Sequence, residues 1–182
     1  MLTATYSLVA ISTELHSARS ALCRLQEHVH ACAEGSQELD LPQVVAVLNN
    51  LTQFDQYCQS RKVEKFVIPA VRGATNEVDF LLAELESLHV RGLDILCNAR
   101  LQLRQILGQG MNGLRELCCS LEFYCDNLHQ RLAKEEEELL PMVKRLLSID
   151  QWFAIAAQFM SEDAAHKRRR VHHSESLSLL AA

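Results

Sequence analysis

Two glutamates stand in near-identical surroundings, 72 residues apart in the chain. One lies in VEKFVIPAV, residues 63–71, and the other in KEEEELLPMV, residues 134–143. Glu64 and Glu136 each precede a proline by five residues, and a valine follows two residues after each proline. A carboxylate inside a protein is costly unless it is paired with a cation or bound to a metal ion. The repeat therefore points to these two side chains as candidates for one buried site.

Two histidines could complete such a site. His89 falls on the apolar face of a predicted helix, three residues before a glycine. His16 is one residue away from the apolar face that passes through Leu15, and one residue corresponds to a rotation of about 100°. If His16 turns inward, each helix contributes one ligand, and two histidines with two glutamates could hold a single iron, manganese or zinc ion.

The elements that must position these residues are helices. Apolar residues recur at steps of three and four along four long segments, as they do on one face of an amphipathic helix. Four such helices with short connections predict an all-α, antiparallel up-down-up-down four-helix bundle. A short fifth helix is predicted at QWFAIAAQFM. The four segments are approximately 4–32, 42–69, 77–107 and 114–147, separated by a polar loop at 34–40, the break RGATNE and a glycine-rich turn at 108–113.

In that bundle the second and fourth helices run parallel and lie diagonally across the core, so Glu64 and Glu136 could face each other at similar height. Glu136 follows Leu128 and Leu132 at steps of four, which predicts that it points inward. Its three glutamate neighbours are predicted to be solvated. The alternative is that every one of these carboxylates lies at the surface near a helix end, as runs of glutamate usually do.

Length and composition predict one bundle domain, residues 1–160, in a chain of 182 residues. Only six glycines and three prolines are present, which favours long helices over strands. From residue 161 the sequence HKRRRVHHSESLSLLAA brings a basic run without a helical face long enough to bury. We interpret residues 161–182 as a disordered tail.

Several functions are disfavoured by the same composition. A net charge of -5 gives no support to nucleic-acid binding, and no apolar run approaches the roughly 18 residues of a membrane span. The first residues have no basic region typical of a signal peptide. Seven cysteines without CxxC spacing suggest reduced thiols and a cytoplasmic protein. No nucleophile–base pair or phosphate-binding loop is evident, so we do not expect an enzyme.

Three segments together resemble hemerythrin-like (HHE cation-binding) domains. LHQRLAKEEEELLPMVKRLLSIDQWFAI is similar to the last helix and following segment of that family, and RKVEKFVIPAV to its second helix. LESLHVRGLDIL is similar to the third helix, with His89 and Gly92 in the family's spacing. The order and spacing of these segments extend over about residues 5–160.

The resemblance implies a bundle that holds non-haem iron, as a mononuclear or dinuclear centre, and that binds dioxygen, senses oxygen or redox state, or handles iron. The residues that carry over are Glu64, His89 and Glu136. The family places a histidine four residues before each of the two glutamates, whereas this chain has Ser60 and Leu132 there. With His16 as the fourth ligand, the expected site is reduced and non-standard.

Two alternatives remain open from the residues. A thiolate from Cys58 or Cys125, on the two glutamate-bearing helices, could replace a missing histidine. Otherwise the bundle holds no metal and serves as a protein-interaction or regulatory module, with a protein partner or a second copy of itself. In that case the buried glutamates need cationic partners, for which Arg61, Lys62, Lys65 and Lys134 are available.

Overall fold

A computed structural model describes residues 2–34, 41–109 and 113–180, with side chains of the last helix described to Ala165. These residues form helices and connecting turns, with no strand among them. The all-α prediction is therefore confirmed for the described part of the chain. Residues 35–40 of the predicted loop and residues 110–112 of the predicted turn lie outside it. The helices are α1 (Leu2–Glu34), α2 (Leu41–Ser60), α3 (Ile68–Arg72), α4 (Asp79–Gln109), α5 (Leu114–Lys134), α6 (Leu140–Leu146) and α7 (Ile149–Leu180).

Each long helix buries the apolar stripe that its sequence periodicity indicated. In α1 the buried residues include Ile11, Leu15, Leu22 and Val29, which follow one another at steps that keep one face inward. The same pattern in the other helices gives one continuous hydrophobic core. Gly113 precedes α5 and has a φ of +98°. Residues with a Cβ atom rarely adopt this backbone conformation.

The repeated glutamate–proline motif folds into a repeated backbone. A π-helical turn, Val63–Val67, connects α2 to α3, and a second one, Glu135–Leu139, connects α5 to α6. In each turn the first carbonyl accepts the N–H of the residue five positions later, from Ile68 in one case and Leu140 in the other. The proline after that residue has no N–H, and its ring would clash with the carbonyl four positions earlier in an α-helix. The wider turn relieves that clash.

The helices pack side by side in a helical bundle. α5 makes its most extensive contact with α4 and its next most extensive with α1, while α2 contacts both α1 and α4. Gly92 lets α4 approach α5 closely, because a Cβ at this position would lie 3.1 Å from Asn127 Nδ2 and 3.4 Å from Tyr124 Cε2.

The fifth helix is longer than the short one predicted, since α7 runs from Ile149 to Leu180 and continues past residue 160. Trp152, Ile155 and Phe159 are buried and anchor its first half against α1 and the first π-helical turn. The predicted fifth helix was limited to this apolar part, where burial stabilises it. The domain boundary at residue 160 and the disorder predicted for residues 161–182 stay predictions, and residues 181–182 lie outside the described chain.

Candidate functional site

An ion pair lies in the core where the end of α2 meets the second π-helical turn. Arg61 is 1% exposed and Glu135 is 0% exposed, and they are the two most deeply buried charged side chains of the described residues. Arg61 Nη2 donates to the Glu135 carboxylate over 2.8 Å, and Arg61 Nε donates to the Cys58 carbonyl over 3.2 Å. The pair therefore joins the two proline-containing segments through the interior.

A second arginine extends this pair into a network. Arg131, one turn before Glu135 on α5, donates from Nη2 to Glu64 Oε1, and its Nε lies 3.4 Å from Glu135 Oε1. Its Nη1 donates to His89 Nδ1 over 3.2 Å, which brings α4 into the network. We call the five residues Arg61, Glu64, His89, Arg131 and Glu135 the core charge network.

The electrostatics of the core charge network follow from burial and pairing. Burial alone would lower the pKa of Arg61, but the adjacent Glu135 carboxylate outweighs it and raises the pKa above its usual range. Burial raises the pKa of Glu64, and Arg131 partly opposes that effect. Arg61 Nη1 has no hydrogen-bond partner among the described residues, so the pairing of this guanidinium is incomplete. Arg61 is held as a cation in the core by this pairing.

The structure brings together two of the four predicted ligands. Glu64 and His89 converge on Arg131. Glu136 does not point inward, because its side chain is 48% exposed and pairs with Arg19 of α1 at the surface. His16 is also exposed, on the flank to which the one-residue rotation from Leu15 assigns it.

The prediction that Glu136 faces inward was wrong by one residue, and helix geometry explains why. Steps of four residues advance about 40° beyond a full turn, so two such steps from Leu128 reach Glu136 about 80° off the core direction. Seven residues fall only about 20° short of two turns. Leu114, Leu121 and Leu128 are buried at intervals of seven, and the next residue in that series is Glu135.

The same heptad spacing on α2 could have identified Arg61. Val47 and Phe54 are buried seven residues apart, and Arg61 follows after seven more. Arg61 was considered from the sequence as a partner for buried carboxylates, although not for Glu135. Arg131 has the same signal, since the buried Leu117 and Tyr124 precede it at steps of seven.

A metal ion does not fit the donor set of the core charge network. Two guanidinium groups, from Arg61 and Arg131, already pair with Glu135 and Glu64, and a divalent cation would be repelled by both. Among the side chains that the structure describes, no group of three or more His, Cys, Asp or Glu residues is arranged to hold a metal ion.

The residues at the positions where the family has histidines also do not supply ligands. Leu132 is fully buried in the apolar core. Ser60 is exposed and donates its hydroxyl to the Tyr57 carbonyl over 2.8 Å. Burial raises the pKa of the Cys58 and Cys125 thiols to about 12, so both remain protonated at neutral pH.

Searches of the chain against protein-family models, curated proteins and solved structures found no match. The likeness to hemerythrin-like domains therefore depends on the motifs of the sequence itself. None of the described helices has an apolar stretch of the length needed to cross a membrane.

A neighbouring set of polar contacts stiffens the core one turn away. Tyr124 donates its hydroxyl to Asp55 Oδ1 over 2.9 Å, and Gln59 Nε2 donates to the other oxygen of Asp55 over 2.7 Å. Asn127 Nδ2 donates to the Leu88 carbonyl over 2.8 Å. These contacts join α2, α4 and α5 beside the core charge network. The network therefore lies in a part of the bundle where hydrogen bonds connect the helices.

Proposed function

We propose that this protein is a hemerythrin-like bundle in which buried ion pairs take the place of a metal centre, and that it acts as a protein-interaction or regulatory module. The observation that carries the proposal is the pair formed by Arg61 and Glu135. A cation supplied by the chain itself neutralises the buried carboxylate, so no metal is needed to offset the cost of burial. This role is non-enzymatic.

The proposal includes the antiparallel up-down-up-down arrangement of the four long helices. It is supported by the contacts of α2 with α1 and α4, and of α5 with α4 and α1, which are those of neighbours in such a bundle. It is further supported by the buried Arg61–Glu135 pair, which joins the two segments that such an arrangement would place diagonally. The proposal also assigns the protein to the cytoplasm, which is supported by the absence of a disulfide among the described cysteines.

A metal-binding function is the second candidate, and one observation favours it. Glu64 and His89, two of the predicted ligands, lie on different helices and contact the same guanidinium of Arg131. If the Arg131 side chain moved out of the core, the Glu64 carboxylate and the His89 imidazole would face the space that it left. Iron held there could bind dioxygen, as the family resemblance implies, although Glu136 and His16 would not contribute from their present positions.

Metal content decides between these two candidates. We expect no stoichiometric iron, manganese or zinc when untagged protein from iron-supplemented cells is examined by elemental analysis. The Glu64→Gln variant should give the same result as Glu137→Gln, which changes an exposed glutamate outside the core charge network.

Stoichiometric metal that is lost in Glu64→Gln and retained in Glu137→Gln would overturn the metal-free proposal. Metal lost in both variants, or retained in both, would point to a site outside the core charge network. Circular dichroism of each variant should confirm that the helical content is unchanged.

A further inference from the structure

The outer face of α4 carries a row of apolar side chains directed away from the core. Val90, Leu93 and Leu101 are 47%, 41% and 49% exposed, and the exposed Cys97 lies between them. The steps of three and four residues place the four side chains on one line along the helix. Leu85 and the other core residues of α4 lie on the opposite side. An apolar line of this kind is the usual contact face of one helix with another.

Two charged residues mark the ends of this row. Glu86 and Arg104 are separated by 18 residues, which is five helical turns and about 27 Å. They therefore continue the line of the row, one at each end. Both are exposed, and neither forms an ion pair with any described residue of its own chain. One end of the row is thus negative and the other positive.

We propose that this face of α4 binds the same face of a second copy of the chain, with the two helices antiparallel about a two-fold axis. In an antiparallel pair, residues at equal distances on either side of the row's centre meet, so each Glu86 would face Arg104 of the partner subunit. The apolar row is brought into contact by the same alignment. The expected pairs across the interface are Val90 with Leu101, Leu93 with Cys97, and Glu86 with Arg104.

The placement of the charges favours a second copy over an unrelated protein. A two-fold interface requires the surface to be complementary to itself. If one residue of the first subunit contacts a different residue of the second, the same contact is repeated with the subunits exchanged. The Glu86–Arg104 pair and the Leu93–Cys97 pair have the same midpoint, residue 95. An unrelated partner would impose no such symmetry. This inference rests on the proposed interaction role, for which it names the partner, but its test does not involve metal content.

Analytical ultracentrifugation over a wide concentration range tests the surface. We expect the wild-type chain to form a dimer and Leu93→Glu to remain a monomer, because a carboxylate would be buried in the apolar row. Glu137→Arg, a change of charge elsewhere on the surface, should dimerise like the wild type. A wild-type chain that is monomeric throughout, or a dimer that survives Leu93→Glu, would overturn the proposal.

Charge exchange tests the antiparallel alignment. Glu86→Arg places two arginines in contact at both ends of the interface and should weaken dimerisation by about tenfold or more. Adding Arg104→Glu restores opposite charges and should recover most of the loss. If the double variant is as weak as the single one, the alignment is wrong.

Crosslinking provides a matched control with the native cysteines. A short bismaleimide should join two chains through Cys97, and Cys97→Ser should abolish the product. Cys119 is exposed on α5, away from the row, so Cys119→Ser should leave crosslinking unchanged. A product that depends on Cys119 instead would place the interface on another face.

Discussion

The two π-helical turns have the same backbone but bury different side chains. In the first turn the opening residue is Val63, which is buried among apolar neighbours. In the second turn the equivalent residue is Glu135, and its carboxylate is fully buried. The next residues, Glu64 and Glu136, are identical in type, yet Glu64 is partly buried and Glu136 is exposed. The two segments therefore share their backbone conformation but differ in which charged side chain they bury.

The difference shows how the core is neutralised. The first segment supplies the cation of the deepest pair, Arg61, and the second supplies the anion, Glu135. Two identical segments would have placed like charges in the core, where they would repel. Divergence of the two halves makes them electrostatically complementary, and the following predictions test that conclusion from the largest expected effect to the smallest.

Removing the anion should have the largest effect. Glu135→Ala leaves Arg61 buried without its partner, and loss of one member of a buried pair typically costs about 3–5 kcal/mol of unfolding free energy. Glu136→Ala is the matched control, because its pair with Arg19 is exposed and worth at most about 1 kcal/mol. Urea denaturation of both variants measures the two losses. Equal losses would mean that the two turns do not differ in the way described.

Removing both charges of the deepest pair should be much milder than removing one. In Arg61→Met/Glu135→Leu neither charge is left alone, and apolar replacements of buried pairs are often neutral or stabilising. Arg131 then loses one of its two carboxylate neighbours and keeps Glu64, so we expect a net change of about 1–2 kcal/mol in either direction. The same denaturation experiment gives the coupling between the two positions. A double variant as unstable as Glu135→Ala alone would argue against direct pairing.

The smallest predicted effect is a pH dependence at the first turn. Because the pKa of Glu64 is raised in the folded state from the ordinary value of 4.5, the folded protein binds this proton more tightly than the unfolded chain. The contribution of Glu64 to stability is therefore greatest at pH below 4.5 and declines as the pH rises through the raised pKa. The unfolding free energy of the wild type minus that of Glu64→Gln should fall over this interval and level off above it. A difference that increases with pH would show that Arg131 dominates over burial.

Much of the fold was accessible from the sequence, whereas the pairing of the charges in the site was not. The helical stripes and the repeated proline motif depend on local spacing, and both appear in the structure. The inward face of α5 is broad enough to bury Arg131 and Leu132 together, so steps of four led to Glu136 where the seven-residue series leads to Glu135. The ion-pair partner of each charged residue depends on which residues of the neighbouring helices lie at the same level along the bundle axis. The spacing of residues along a single helix does not contain that information.

The π-helical turns also bear on how this chain tolerates changes in length. A π-helical turn accommodates one residue more than an α-helical turn, so the residues beyond it keep the orientation that they would have in a helix one residue shorter. Leu139 and Val143 thus face the core, although the π-helical turn contains one residue more than an uninterrupted α-helix would have there. Additional residues are normally accommodated in loops, yet these two turns are points inside long helices where one extra residue is accommodated without rotating everything that follows.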